Sequence, residues 1–206
     1  MYKFESELLE KGHIYIAGTD EVGRGPLAGP VVAAAVILNP ENIIEGLNDS
    51  KKLSEKKRNA LSLEIKEKAL AYNIVYIYPK EIDKINIYQA SKKAMITAIN
   101  NLPIRPTYVL SDAMPLDNLG IDHLAIIKGD TKSATIAAAS IIAKVERDEY
   151  MIKLSEKLPQ YGFEKHKGYP TKFHVEALHK YGATEYHRVT YKPVADVIHQ
   201  QVKLDI

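Results

Sequence analysis

The chain has 206 residues, 46% of them apolar and 26% charged, with a formal net charge of +2. That is the make-up of an ordinary globular protein with core enough for one large domain, and it excludes a disordered or fibrous chain. No cysteine is present, which excludes disulfides and thiolate metal sites and fits a reducing compartment.

The opening MYKFESELLEKG carries acids and no apolar h-region, so it does not read as a signal peptide. The longest apolar runs, Val31–Leu38 and Ile136–Ala143, fall short of the roughly 18 residues needed to span a bilayer. A soluble, cytoplasmic, monomeric protein without a membrane partner is expected.

Residues 1–10 read as a short amphipathic helix with Phe4, Leu8 and Leu9 on one side. His13–Gly18 and Val31–Leu38 read as neighbouring strands, the second apolar enough to be buried on both faces. After a loop over Asn39–Ser50, Ser54 is placed as the N-cap of a helix running to Tyr72, with Leu61, Ile65 and Leu70 inward. Ile74–Tyr78 reads as a strand closed by Pro79. Asn86–Asn101 follows as an amphipathic helix, Asn86 and Gln89 being spaced like a capping box. Tyr108–Ser111 and Leu124–Ile127 are short strands, ending on Asp112 and on Lys128-Gly129-Asp130. A long, small-residue helix is predicted from Thr131 to Leu158, stopped by Pro159. Thr171–Tyr181 is a further helix, capped by Thr171 and terminated by Gly182, and Val194–Leu204 is a last one. The pattern indicates an α/β protein: a mixed sheet with helices on both faces over 1–158, and a helical C-terminal segment over 159–206.

Three acidic positions each follow a predicted strand: Asp20-Glu21, Asp112 and Asp130. In open sheets such strand ends converge on a ligand crevice. Carboxylates gathered there repel one another unless protonated or bridged by a hard, oxygen-loving cation such as Mg²⁺ or Mn²⁺. Two such ions about 4 Å apart can drive phosphodiester cleavage. The competing reading is that these acids only cap helices, Asp130 in particular capping the Thr131 helix.

Between the two acids and the second strand lies Gly23-Arg24-Gly25-Pro26-Leu27-Ala28-Gly29-Pro30. Its glycines let bare backbone approach a ligand, and a 2′-hydroxyl, donor and acceptor at once, suits a bare peptide edge. Arg24 is placed to hold a flanking phosphate. The loop is no P-loop, because a strand rather than a helix follows it. Basic residues cluster at Lys51, Lys52, Lys56, Lys57 and Arg58, and again at 165, 167, 172, 180, 188 and 192, against only Glu176 and Glu185. Either cluster alone reads as a solvated helix face.

Several long stretches in order resemble the ribonuclease HII family, from about Ile16 to Val194. They are DEVGRGPLAGPVVAAAVIL at 20–38, NDSKKLSEKKR at 48–58, the helix at 86–102, SDAMPLD at 111–117 and IIKGDTKSATIAAASIIAKVERD at 126–148. HKGYPTKFHVEAL and HRVTYKPV follow near the C-terminus. The resemblance implies a ribonuclease H-like, five-stranded mixed sheet flanked by helices. It implies hydrolysis of the RNA strand of RNA–DNA hybrids, and cutting 5′ of single ribonucleotides in duplex DNA to leave 3′-hydroxyl and 5′-phosphate ends. It places two Mg²⁺ or Mn²⁺ ions on Asp20, Glu21, Asp112 and Asp130, and 2′-hydroxyl reading on Gly23, Arg24 and Gly25. Tyr169 packs on the sugar beyond the RNA–DNA junction, Ser50 and Lys51 contact substrate, and the 165–192 stretch becomes a duplex-backbone surface.

The chain departs from the family pattern at Ala113, where the family usually has Gly, and at Val189-Thr190-Tyr191, where Arg-Ser-Phe is commoner. Ribonuclease HIII is the nearest rival and would need a substrate-binding domain ahead of Ile16. A hybrid-binding module without turnover and a scaffold protein leave the four acids unexplained.

Overall fold

The computed structural model describes residues 1–204 apart from Asn118, and side chains up to residue 200. Its five strands are β1 (Ile16–Val22), β2 (Val31–Ile37), β3 (Ala71–Ile77), β4 (Tyr108–Asp112) and β5 (His123–Ile126), in the order β3-β2-β1-β4-β5. β1 runs antiparallel to β2 and parallel to β4, and β4 runs parallel to β5, so the sheet is mixed. Every residue of β2 is buried, as a strand covered on both faces requires.

The helices are α1 (Lys3–Glu10), α2 (Glu55–Lys68), α3 (Pro79–Ile85), α4 (Ile87–Asn100), α5 (Ala134–Lys157), α6 (Phe163–His166), α7 (Lys172–Tyr181) and α8 (Lys192–Leu204). The expected caps are in place. The Ser54 side chain accepts from Lys57 N–H, Asn86 Oδ1 from Gln89 N–H, and Thr171 from His174 N–H.

Several boundaries differ from the sequence expectation. β1 continues four residues past Gly18, because pairing to β2 carries it on, so Asp20 and Glu21 lie inside a strand rather than after one. α2 stops at Lys68 and β3 begins at Ala71, which leaves Leu70 exposed rather than inward. Pro79, expected only to end a strand, also starts α3, at the one helical position where its missing N–H costs nothing. α5 starts at Ala134, with Ser133 Oγ accepting from Ile136 N–H. Asp130 sits earlier, in a single 3₁₀ turn, Gly129–Thr131, so it does not cap the long helix.

By compactness the chain divides into two units, residues 1–22, 32–76 and 91–145 forming one, and 23–31, 77–90 and 146 onward the other. In the first unit, Val32, Ala34 and Val36 of β2 pack with Leu61 and Ile65 of α2 and with the alanines of α5. A fully buried Ile or Leu there contributes about 1.5–3 kcal/mol. Close approach of α5 is written into Gly18, where a Cβ would lie 2.1 Å from the Thr135 carbonyl carbon. Glu5 fastens α1 to the start of α5: its Oε1 accepts from Ser133 Oγ, Thr135 N–H and Thr135 Oγ1, a negative charge at a helix N-terminus. In the second unit, Leu27, Met151, Leu154, Tyr161, Phe163, Leu178 and Val194 share one core, and the Tyr161 and Phe163 rings stack 5.4 Å apart. Among the described residues no helix is long and apolar enough to cross a membrane.

Candidate active site

In the first unit, parallel pairing of β1 with β4 ends at Thr19 opposite Ser111. The next residue on each strand is an acid, Asp20 and Asp112. Two neighbouring parallel strands therefore part with a carboxylate on each, Asp112 at the end of β4 and Asp20 within β1, the kind of place where open sheets bind ligands.

Asp20 is 5% exposed; its Oδ1 accepts from the Glu21 N–H at 2.7 Å. Burial raises its carboxyl well above the usual range, and repulsion from Glu21 and Asp112 adds to this; a hydrogen bond from Ser140 opposes it. Asp112 Oδ1 accepts from the Gly129 N–H at 2.7 Å, which ties the tip of β4 to the turn bearing Asp130. Partial burial raises Asp130 too, with repulsion from Asp112 and Asp49 behind it and attraction from Lys51 opposing. Asp112 is thus the acid that both Asp20 and Asp130 feel.

Among the described residues no three acidic or imidazole side chains stand ready to hold an ion as placed. The donor set nevertheless suits a hard divalent cation: it offers oxygen ligands only, and burial and repulsion from neighbouring acids push Asp20 and Asp130 towards protonation. Asp20, Glu21, Asp112 and Asp130 are the candidate ligands.

Strain marks the same turns. Ala113 has φ +52° and sits in a three-residue turn closed by Met114 N–H donating to Asp112 O at 2.6 Å. Lys128 has φ +56°, just ahead of Gly129. Non-glycine residues rarely hold this conformation.

Ser50 and Lys51 divide. Lys51 is exposed and bears electrostatically on Asp130. Ser50 is 1% exposed, and its hydroxyl lies 3.1 Å from that of Ser140, the residue that also bonds Asp20. Its side chain is turned inward, towards Ser140. Arg58 Nη1 donates to Ser50 O at 2.7 Å and holds the loop from below.

The second unit carries the glycine loop. Gly23 is required by the fold: its φ is +97°, and a Cβ there would lie 2.2 Å from Arg147 Nε. Gly25 is different, because a Cβ there would meet nothing closer than Tyr169 Cε1 at 3.6 Å. Packing does not demand a glycine at 25, and the bare backbone there leaves room for a ligand to come close. Gly25 and Arg24 are exposed, and Tyr169 is 41% exposed. Gly25 and Tyr169 are therefore brought together, as neighbouring faces of one surface.

Beneath the loop lie two arginines, each 0% exposed. Arg147 donates to the carbonyls of Pro30, Ala28 and Lys167 at 3.0, 3.2 and 3.0 Å. Arg188 donates to Gly23 O at 2.6 Å, to Arg24 O at 2.9 Å and twice to Gly29 O. Burial lowers both guanidinium groups, Arg147 to about 10. Arg188 was counted in the solvent-facing basic stretch; the structure removes it from that surface, while Lys165, Lys172, Lys180 and Lys192 remain exposed. The sequence reading missed Arg147 and Ser140 altogether. The available signal was polarity on a helix that is otherwise small and apolar.

A family model described as Ribonuclease HII matches residues 17–194. The chain belongs to the ribonuclease HII family. It is 58% identical to the ribonuclease HII of Bacillus cereus strain AH820 over 96% of this chain and 77% of that relative, and 57% identical to that of Bacillus mycoides over the same shares. Among solved structures it resembles the ribonuclease H2 from Pyrococcus horikoshii, with TM-score 0.80, 28% identity, and coverage of 92% of this chain and 100% of that one. It also resembles the ribonuclease HII of Archaeoglobus fulgidus, solved in complex with PCNA, with TM-score 0.75, 29% identity, and coverage of 86% and 95%. A ribonuclease HIII solved with Mn²⁺ shares the fold at TM-score 0.70 and 17% identity, over 92% of this chain and 71% of that one. Ribonuclease HII enzymes are divalent-metal-dependent endonucleases that hydrolyse the RNA strand of RNA–DNA hybrids, and the five-stranded mixed sheet is theirs.

Proposed function

We propose that this ribonuclease HII cuts duplex DNA on the 5′ side of single embedded ribonucleotides, as well as RNA–DNA hybrids, leaving 3′-hydroxyl and 5′-phosphate ends. The observation that carries the reading is the exposed Gly25 with Tyr169 3.6 Å from the space a Cβ would fill. A bare peptide edge next to an aromatic ring suits one ribose followed by one deoxyribose. Gly23, Arg24 and Gly25 read the 2′-hydroxyl through backbone groups, and the Tyr169 ring packs on the sugar beyond the junction.

Asp20, Glu21, Asp112 and Asp130 place two ions, Mg²⁺ or Mn²⁺, and are not nucleophiles themselves. When bound, such ions supply an activated water and stabilise the 3′-oxygen leaving group. Asp112 is held by the Gly129 N–H and Asp20 by the Glu21 N–H, so each keeps its orientation whatever the charge opposite. Lys51, beside Asp130, offers a cation to the substrate backbone, and Lys165, Lys172, Lys180 and Lys192 offer a salt-sensitive duplex contact. The reading extends to a cytoplasmic monomer that works in ribonucleotide excision repair.

The test is cleavage of a DNA duplex carrying one ribonucleotide, with product ends mapped and Mg²⁺ and Mn²⁺ compared. A single cut 5′ of the ribonucleotide supports the reading. Cleavage confined to long hybrids, as expected of a ribonuclease HIII, would overturn it.

A further inference from the structure

The two exposed residues of the Gly23–Gly25 loop owe their peptide orientation to groups on the buried side. Arg188 Nη2 donates to Gly23 O and Nη1 to Arg24 O. The Tyr191 hydroxyl donates to the same Arg24 O at 2.6 Å and accepts from Arg188 Nη1 at 3.0 Å. A trans peptide is planar, and its C=O and N–H point in opposite directions; the chain has no cis bond among its described residues. With the carbonyls of residues 23 and 24 turned in to the guanidinium, the N–H groups of Arg24 and Gly25 are turned the other way.

We propose that Arg188, aided by Tyr191, is a positioning group for ribose recognition: by holding the Gly23 and Arg24 carbonyls it aims the Arg24 and Gly25 amides at the ligand face. This rests on the reading that those amides meet the 2′-hydroxyl. The rigid fork of Arg suits the task, since one planar group reaches three carbonyls at fixed angles, which a lysine point charge does not. The turn that delivers Arg188 is itself fastened. Asp83 accepts from Val189 N–H and Thr190 N–H, both at 3.0 Å, and from the Thr190 hydroxyl.

The experiment is equilibrium binding in EDTA, comparing a duplex with one ribonucleotide to the same duplex in all-DNA form, for wild type, Gly25→Ala, Arg188→Lys and Tyr191→Phe. Thermal melting establishes that each variant is folded. The ratio of the two affinities is the readout, because a merely structural lesion weakens both duplexes alike. Arg188→Lys is expected to lower the ribose preference roughly tenfold and Tyr191→Phe about threefold, as loss of one or two aligned hydrogen bonds would. Binding of the all-DNA duplex falls by less than binding of the ribonucleotide-containing one. Full ribose preference in folded Tyr191→Phe and Arg188→Lys, with preference lost in Gly25→Ala, overturns the positioning role and leaves the loop as sugar reader. A wild type without ribose preference, or a Gly25→Ala variant that keeps it, overturns both. Should Arg188→Lys fail to fold, Tyr191→Phe decides the matter: a lowered ratio supports the proposal and an unchanged one sinks it.

Discussion

The carboxylates where β1 and β4 part and the arginines under the glycine loop are both charges taken out of water, and they are handled in opposite ways. Arg147 and Arg188 are fully buried, yet their donors meet backbone carbonyls, so the desolvation cost is offset within the fold. Asp20 is nearly as buried, but the charges it feels most are further carboxylates. The arginines are thus complete without any ligand and belong to the architecture. The acids are not, and that deficit is what a divalent cation would fill. Removing a charge should therefore damage stability in one region and activity in the other.

Asp112→Asn should give the largest effect. Metal-dependent cleavage falls on the order of a thousandfold or more, the equivalent of several kcal/mol of lost charge stabilisation. Stability is unchanged or higher, because Asp20 and Asp130 each lose a repelling neighbour. Activity assays beside thermal melts check both halves; full activity in the variant would end the role given to this acid. Arg147→Met is the mirror experiment. The buried carbonyls of Ala28, Pro30 and Lys167 lose their donor, at a cost of about 2–5 kcal/mol. The melting temperature should fall by roughly 5–15 °C. A variant that melts like the wild type would show that Arg147 is not the strut described.

The acids were legible in the sequence because each sits beside a strongly patterned strand, and the glycine loop because its composition is unusual. What the sequence hid depended on pairing at a distance. β1 runs on through Asp20 and Glu21 only because β2 lies opposite with Ala34 and Ala33, and no local propensity announces that. The same holds for Ser50. In its loop it reads as a surface hydroxyl, and only the arrival of Ser140, ninety positions later in the chain, turns it inward. Arg188 looked like one more cation in a basic run, since burial of a charge is visible only once the carbonyls that satisfy it have been brought together.

The comparison extends to pH, where the two regions have opposite signs. The chain of hydrogen bonds behind Tyr169 fixes its histidines as neutral tautomers. His174 Nδ1 donates to Tyr169 O at 2.9 Å, so its Nε2 accepts from His187 Nε2 at 3.2 Å. His187 Nδ1 in turn accepts from Thr184 N–H. A proton added to either ring sets donor against donor in a buried place. Burial accordingly lowers His174 to about 4, with repulsion from His166 adding to it, and His187 to about 3, with repulsion from His174 adding to it. The unfolded chain then binds more protons than the native one between pH 6.5 and these values. Stability is present above 6.5 and is lost as pH falls through that window, by on the order of a few kcal/mol. Asp20, raised in the native state, contributes the other way: its stability is greatest at low pH and is lost as pH rises. Denaturant midpoints from pH 8 to pH 4.5 should fall in the wild type and fall less in a His174→Gln, His187→Gln double variant. Equal slopes would mean the pair is not the source.

The smallest effect is at Ala113, where strain stands directly behind Asp112. An alanine at φ +52° costs about 1 kcal/mol relative to glycine in the left-handed region. Ala113→Gly would relieve that strain but also gives the unfolded chain more freedom to lose, worth about 0.4–1 kcal/mol. The two nearly cancel, so the melting temperature should move by no more than about 2 °C. Ala113→Val carries the strain without the relief and should destabilise by about 1–2 kcal/mol, since a β-branched residue tolerates this conformation worst. If the glycine variant instead melted several degrees higher, the turn would be a site of stored strain large enough to matter to Asp112. If the valine variant were neutral, the left-handed turn would not be what holds that carboxylate in place.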